Sequence, residues 1–167
     1  MKRNFNVLLV TLLIAFASCS FTSKSFDDPD KDKLLMKLIT YLLEEGHFQP
    51  KEINDDLSQA VYTSFLDQID PFKNYFLKSD IDEFEEFKTE LDNQILAHDV
   101  SFFNLVYDRF LIRFEDSRDM YSKVLELPFD FSLQEVYSTD YENNVYVNSK
   151  SDMFERWRKQ LKFYTIS

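Results

Sequence analysis

The stretch LDQIDPFKNYFLKSDIDEFEEF, residues 66–87, shows how this chain is built, because it ends one helix, crosses a short link and begins another. Pro71 disfavours the α conformation at Asp70, so the helix arriving from residue 55 is expected to stop there. The apolar tripeptide YFL follows as an extended link. Ser79 and Asp82 then have the spacing of a capping box, which predicts a new helix start.

Composition predicts the same helical organisation for the rest of the chain. The 167 residues include 18 phenylalanines and 9 tyrosines, which is ample material for a core, but only one glycine and four prolines. Sheets with tight turns need positive-φ positions that glycine supplies most easily. The sequence therefore predicts an all-α fold, a single helical domain with a Phe/Leu-rich core.

Apolar periodicity places about five helices, at residues 30–45, 55–69, 80–97, 101–125 and from 149 or 151 onward, the fourth capped by Asp99 or Ser101. Asn54 is a good N-cap for the second helix. The loop at 128–150 lacks periodicity and is expected to hold one short helix at 133–137. The side chains expected to face inward on the first three helices are Leu34, Leu35, Leu38, Ile39, Leu42 and Leu43; Leu57, Val61, Phe65 and Ile69; and Phe84, Phe87, Leu91 and Ile95. Those on the last two are Phe102, Phe103, Val106, Phe110, Phe114, Tyr121 and Val124; and Phe154, Trp157, Leu161 and Tyr164.

The N-terminus has the pattern of an export signal, with Lys2 and Arg3 ahead of an apolar core too short to span a membrane as a mature helix. Residues 1–18 are predicted to be a signal peptide and residues 19–29 a polar tether. Two cleavage sites compete: a small-x-small site ending at Ala17, and a sequence FASC that looks like a lipoprotein box ending at Cys19. Cys19 is the only cysteine and has no disulfide partner, which favours lipidation and membrane attachment through that residue.

Three segments, in order, resemble the N-terminal region of the bacterial C-terminal processing (tail-specific) periplasmic serine proteases. They are the 66–87 stretch, LELPFDF at 125–131 and WRKQLK at 157–162, and the resemblance covers most of residues 33–163. It implies that residues 30–167 are the N-terminal helical domain of such an endopeptidase, truncated before a PDZ domain and a protease core. The serine nucleophile and lysine base of the family belong to that core, so no catalytic residue is carried over to this chain.

The resemblance also implies a setting and partners. The family acts in the periplasm of Gram-negative bacteria and cleaves proteins often selected by apolar C-termini. The expected partners are therefore the rest of the protease chain, protein substrates and an adaptor protein. The alternative is a stand-alone helical envelope lipoprotein that binds another protein.

Charge and residue patterns disfavour several other classes. The net charge of −11 disfavours nucleic-acid binding, which needs a basic stripe. The acidic run Asp80, Asp82, Glu83, Glu85 and Glu86 lacks the glycine of an EF-hand and is interpreted as an exposed acidic helix face. His47 and His98 have no partners at metal-ligand spacing and are interpreted as helix-end residues, so neither a metal nor a cofactor is expected.

One face stands out against this acidity. Arg156, Arg158, Lys159 and Lys162 give the last helix a basic side. Two interpretations stay open: local pairing and solvation along the helix, or docking against an acidic neighbour such as the following domain.

Overall fold

The computed structural model describes residues 29–46, 52–141 and 143–166, and every regular element in that part of the chain is helical. The helices are α1 (Pro29–Tyr41), α2 (Asp55–Ile69), α3 (Lys78–Phe84), α4 (Leu91–Ala97), α5 (Ser101–Leu125) and α6 (Lys150–Tyr164). The all-α prediction is confirmed. Cys19, His47, the predicted signal peptide and the predicted tether up to residue 28 lie outside the described residues.

The chain divides into two compact units, Met1–Lys31 and Asp32–Ser167. The structure describes only residues 29–31 of the first unit, which form the beginning of α1. Within the described ranges, no helix is long and apolar enough to cross a membrane.

An aromatic cluster forms the core of the second unit, around Phe102 of α5. The rings of Phe84 and Phe102 meet edge to face at 6.4 Å, and those of Phe76 and Phe84 at 5.5 Å. Such pairs add to the large apolar area that each ring buries. The buried members of the cluster are Tyr62, Leu66, Phe76, Phe84, Leu91, Phe102 and Val106. The predicted phenylalanine- and leucine-rich core is present.

Helix α2 begins and ends where local signals place it. The Asn54 side chain accepts a hydrogen bond from the Leu57 amide at 3.1 Å, and the helix ends at Ile69 just before Asp70 and Pro71. Its buried row is shifted by one residue from the prediction, because the most buried side chains are Ser58, Tyr62 and Leu66. The predicted residues Leu57, Val61, Phe65 and Ile69 are half-buried at the edge of that row.

The predicted continuous helix over 80–97 is wrong. A 3₁₀ turn at Glu85–Phe87 separates α3 from α4. Ser58 of α2 explains the break, because its hydroxyl donates to the Lys88 carbonyl at 2.9 Å and accepts from the Leu91 amide at 2.8 Å. A buried side chain from another helix thus satisfies backbone groups that the interruption frees.

The start of α3 also differs from the prediction. Leu77 occupies the N-cap position, so Ser79 lies inside the first turn. The Leu77 amide donates to the Asp80 carboxylate at 2.9 Å, which gives Asp80 the role expected of Asp82. Leu77 forms an isolated bridge with Val147, and this extended pairing fixes where the helix begins.

The prediction for the buried face of α1 is wrong. Met36 and Thr40 are buried, and the Thr40 hydroxyl also contacts the Ile95 carbonyl at 3.4 Å. The predicted inward residues Leu34, Leu35, Leu38, Ile39 and Leu42 are exposed, and Leu43 is half-buried. Apolar side chains lie on nearly every side of this helix, so periodicity alone could not choose the buried sector.

The connection from α5 to α6 has no regular element, and the short helix predicted at 133–137 is not formed. Helix α6 begins where Ser149 accepts a hydrogen bond from the Asp152 amide at 3.1 Å, as one of the two predicted caps. Phe154, Trp157 and Leu161 of α6 are half-buried, and Tyr164 is exposed. The buried residues of this helix are Met153, Gln160 and Lys162. On α5, Phe114 and Tyr121 are exposed, although the other predicted core residues are buried or half-buried.

Candidate interaction surface

The link between α2 and α3 is held rigid by one buried carboxylate. Asp70 accepts hydrogen bonds from the backbone amides of Asn74, Tyr75 and Phe76 at 2.8, 3.1 and 3.0 Å. Burial raises the pKa of the Asp70 carboxyl, although these three hydrogen bonds oppose the shift. The carboxylate therefore fixes the path of a segment that regular secondary structure does not support.

Helix α6 docks against this link through polar contacts. The Trp157 indole donates to the Asn74 carbonyl at 3.1 Å, and the Asn74 side-chain amide donates to Gln160 at 3.0 Å. Arg156 donates to the Lys73 carbonyl at 2.5 Å and to the Val145 carbonyl at 2.7 Å. Burial lowers the pKa of the Arg156 guanidinium, although the charge of Asp70 opposes the shift. These contacts hold α6 in place.

Two further cations of α6 bind the preceding loop. Arg158 and Lys162 both pair with Glu135, and the Lys162 ammonium lies 2.6 Å from one carboxylate oxygen. Lys162 also contacts the Leu133 carbonyl at 3.3 Å. The hydrogen bonds from Arg158 and Lys162 lower the pKa of the Glu135 carboxyl to about 2. The loop is therefore held to α6 at Glu135, whose charge is neutralised by these two cations.

An open cleft of about 700 Å³ lies between this loop and the end of α6. Its apolar lining is strongly exposed, with Val136 87% and Ile166 66% accessible to solvent. Lys159 is the basic residue of α6 that lines both this cleft and an adjoining smaller one. Exposed apolar side chains beside a firmly docked helix make this region the candidate interaction surface, comprising residues 131–137, the C-terminal half of α6 and Ile166.

The structure separates the four basic residues named from the sequence. Arg156, Arg158 and Lys162 bind the chain's own carbonyls and carboxylates. Lys162 also lines the larger cleft and Arg156 the smaller one, whereas Lys159 lines both. Their proposed contact with a partner stays a prediction. The sequence did not indicate Glu135, which pairs with two of them from 23 and 27 residues away.

A second cluster lies around Asp80, which was interpreted as part of an exposed acidic face. Asp80 is instead fully buried: Arg113 donates to it at 2.7 and 2.8 Å, and Arg109 at 2.5 Å. Burial opposes ionisation, but the hydrogen bonds from Arg113, Leu77 and Arg109 outweigh it and lower the pKa of Asp80. The interpretation of Asp80 as exposed is wrong, because α5 supplies two cations that the local sequence does not show.

The same cluster reaches α6. Asp116 of α5 accepts from Arg113 at 3.1 Å and from the Lys150 ammonium at 2.8 Å. Burial disfavours ionisation of Asp116, yet the hydrogen bonds from Lys150 and Arg113 lower its pKa. Consecutive ion pairs therefore connect the starts of α3 and α6 through the middle of α5, and this geometry indicates a structural role.

His98 lies at the end of a helix, as interpreted from the sequence. His98 adopts a left-handed conformation with φ 55° and ends α4 through its backbone amide. In the part of the chain that the structure describes, no group of three or more His, Cys, Asp or Glu side chains is arranged to hold a metal ion.

Comparisons with known proteins find a matching family model and a similar curated protein. A family model described as the tail specific protease N-terminal domain matches residues 39–167. The chain is also similar to a tail-specific protease of Haemophilus influenzae, with 25% identity over 134 residues. That alignment covers 80% of this chain and 19% of the relative, so the chain spans about a fifth of the relative's length.

Proposed function

The chain belongs to the family of tail-specific protease N-terminal domains, and on this premise we propose that it is a non-catalytic platform for a serine endopeptidase that processes proteins from their C-termini. The family match over residues 39–167 is the observation that carries the proposal. The serine and lysine that the family resemblance implies for catalysis have no counterpart in the matching motifs of this chain. We therefore expect it to be inactive alone.

The candidate interaction surface is the face that we assign to the rest of the protease chain. It combines a firmly docked α6 with the exposed side chains of Leu133, Val136 and Ile166. An exposed apolar patch next to a rigid element is typical of a surface that another domain covers. Lys159 adds a positive charge to a domain that is otherwise strongly acidic, which suits an acidic neighbour. Substrates and an adaptor are further partners of the same platform.

The platform role is tested by reconstituting the protease in two pieces. The 167-residue chain and the polypeptide encoded downstream of Ser167 are purified separately, and cleavage of an unfolded protein with an apolar C-terminus is measured. We expect no cleavage by the chain alone and faster cleavage by the mixture than by the downstream piece alone. Val136→Asp should abolish the acceleration, because it places a charge in the cleft.

The matched control is Leu38→Asp, which places the same charge on α1, at another exposed apolar side chain. It should leave the acceleration intact. Cleavage by the chain alone, abolished by altering one of its own side chains, would contradict the platform role. A stop codon directly after Ser167 would instead favour a stand-alone envelope lipoprotein that binds a protein.

We also propose that the chain is exported to the periplasm and anchored through Cys19. The support is the Lys2–Arg3 pair, the apolar run after it and the position of the single cysteine. Metabolic labelling with a fatty-acid probe should mark the wild-type chain and not Cys19→Ala. Labelling of neither protein, with both exported and cleaved after Ala17, would show simple secretion.

A further inference from the structure

The long helix α5 carries a second apolar row that the domain leaves about half exposed. Its members are Tyr107, Leu111, Phe114, Tyr121 and Leu125, each between 43% and 54% accessible to solvent. Arg118 occupies the remaining position, so the spacing along the row alternates between four and three residues. At 1.5 Å per residue the row is about 27 Å long.

This spacing indicates the shape of what would cover the row. Alternating steps of four and three residues form the seam of a coiled coil, which receives the side chains of a second helix. The buried face of α5 contains Phe102, Val106, Ser117 and Val124, which is a different row of the same helix. Phe114 also packs against the rings of Tyr75 and Phe110, so it is the exposed part of the row that can contact a partner while the core stays intact.

The charges beside the row indicate the partner's chemistry. Exposed acidic residues follow the outer flank of the row, namely Asp108, Glu115, Asp119 and Glu126. Arg118 lies in the row and pairs with Glu115 at 2.8 Å, which leaves the flank with a net negative charge. A second copy of this chain would place like-charged flanks against each other, and the net charge of −11 adds to that repulsion.

We propose that the exposed row of α5 binds an amphipathic helix of another protein or domain, with an apolar ridge flanked by lysine or arginine. Apolar packing provides the contact, and the acidic flank selects the partner. The row consists of α5 residues and is separate from the candidate interaction surface. The inference therefore does not depend on the platform role.

The test uses two synthetic helical peptides with leucine at every a and d position. One peptide carries lysine at its e and g positions and the other carries glutamate. Fluorescence anisotropy with the 167-residue chain should show the lysine peptide binding at least about tenfold tighter than the glutamate peptide. Leu111→Ser should weaken that binding about tenfold or more, whereas Leu38→Ser, an exposed leucine on α1, should not.

A charge reversal gives a readout that loss of folding cannot imitate. The double variant Asp108→Lys and Asp119→Lys should change the preference of the chain from the lysine peptide to the glutamate peptide. Equal binding of both peptides by the wild-type chain, or equal weakening by Leu38→Ser and Leu111→Ser, would overturn the proposal. So would a dimer in sedimentation that Leu111→Ser dissociates, since the occupant would then be a second copy. Binding to zwitterionic lipid vesicles that Leu111→Ser abolishes would assign the row to a membrane and overturn it equally.

Discussion

Replacing Asp80 by asparagine should destabilise this protein by about 3 kcal/mol, because the change breaks a buried ion cluster. The carboxylate is fully buried and accepts four hydrogen bonds, one from the Leu77 amide and three from Arg109 and Arg113. An asparagine of the same shape offers one oxygen, and its amide group would face N–H donors. Two cations would then lose their shared counter-charge.

The size of the effect follows from the surroundings of the two arginines. Removing one partner of a buried pair costs about 3–5 kcal/mol when the other charge stays uncompensated. The Arg109 and Arg113 side chains are 24% and 13% accessible, and they keep Glu83 and Asp116 as secondary partners. The loss is therefore expected at the lower end of that range.

Urea denaturation measures this loss with two independent probes. Circular dichroism reports all the helices, and the fluorescence of Trp157, the single tryptophan, reports the docking of α6. With a slope of about 1–3 kcal/mol per molar urea, the midpoint should fall by about 1 M or more. The matched control is Asp82→Asn, two residues along α3, which removes the pair between Lys78 and a half-exposed carboxylate. That control should hardly change the midpoint.

The reasoning fails if Asp80→Asn lies within about 1 kcal/mol of the wild type while its helix content is unchanged, since the buried cluster would then contribute little. It also fails if Asp82→Asn costs as much as Asp80→Asn. In that case the acidity of the whole helix start, rather than burial of one carboxylate, would govern stability.

Three further measurements extend this account. The pKa of Asp80 is lowered in the folded protein, so the stability that its ionised carboxylate contributes is complete above the ordinary aspartate range, near about pH 4, and is lost on further acidification. Urea titrations at several pH values should therefore show the unfolding free energies of the wild type and Asp80→Asn converging as the pH falls. A constant difference between them would contradict this. Ser58→Ala should lower the free energy of unfolding by about 2 kcal/mol, because it leaves the buried Leu91 amide without an acceptor. The control Ser64→Ala, at an exposed serine of the same helix, should leave stability nearly unchanged. Equal urea midpoints for the two variants would refute the role of Ser58. Tyr62→Phe should leave stability unchanged or raise it by about 1 kcal/mol, since the buried hydroxyl has no hydrogen-bond partner among the described residues, and a clear loss of stability would show that a partner exists.

Local sequence determined the helical class and most helix boundaries of the described chain. Asn54 and Ser149 cap α2 and α6 through their own side chains, and Pro71 follows the end of α2 by two residues. Each of these signals acts on the backbone within about four residues, so it can be read without knowing the fold. The family resemblance is also visible in the sequence alone, because it rests on short segments that follow one another in a fixed order along the chain.

Tertiary structure alone decided which side chains are buried and which polar groups meet. Asp80 resembles its acidic neighbours in the sequence, but arginines about 30 residues away make it a buried hub. Ser58 interrupts a helix that periodicity predicts to be continuous, and α1 buries Met36 rather than its row of leucines. The physical reason is that burial and buried hydrogen bonds depend on which distant surfaces pack together, whereas helix formation depends on a residue and its nearest neighbours.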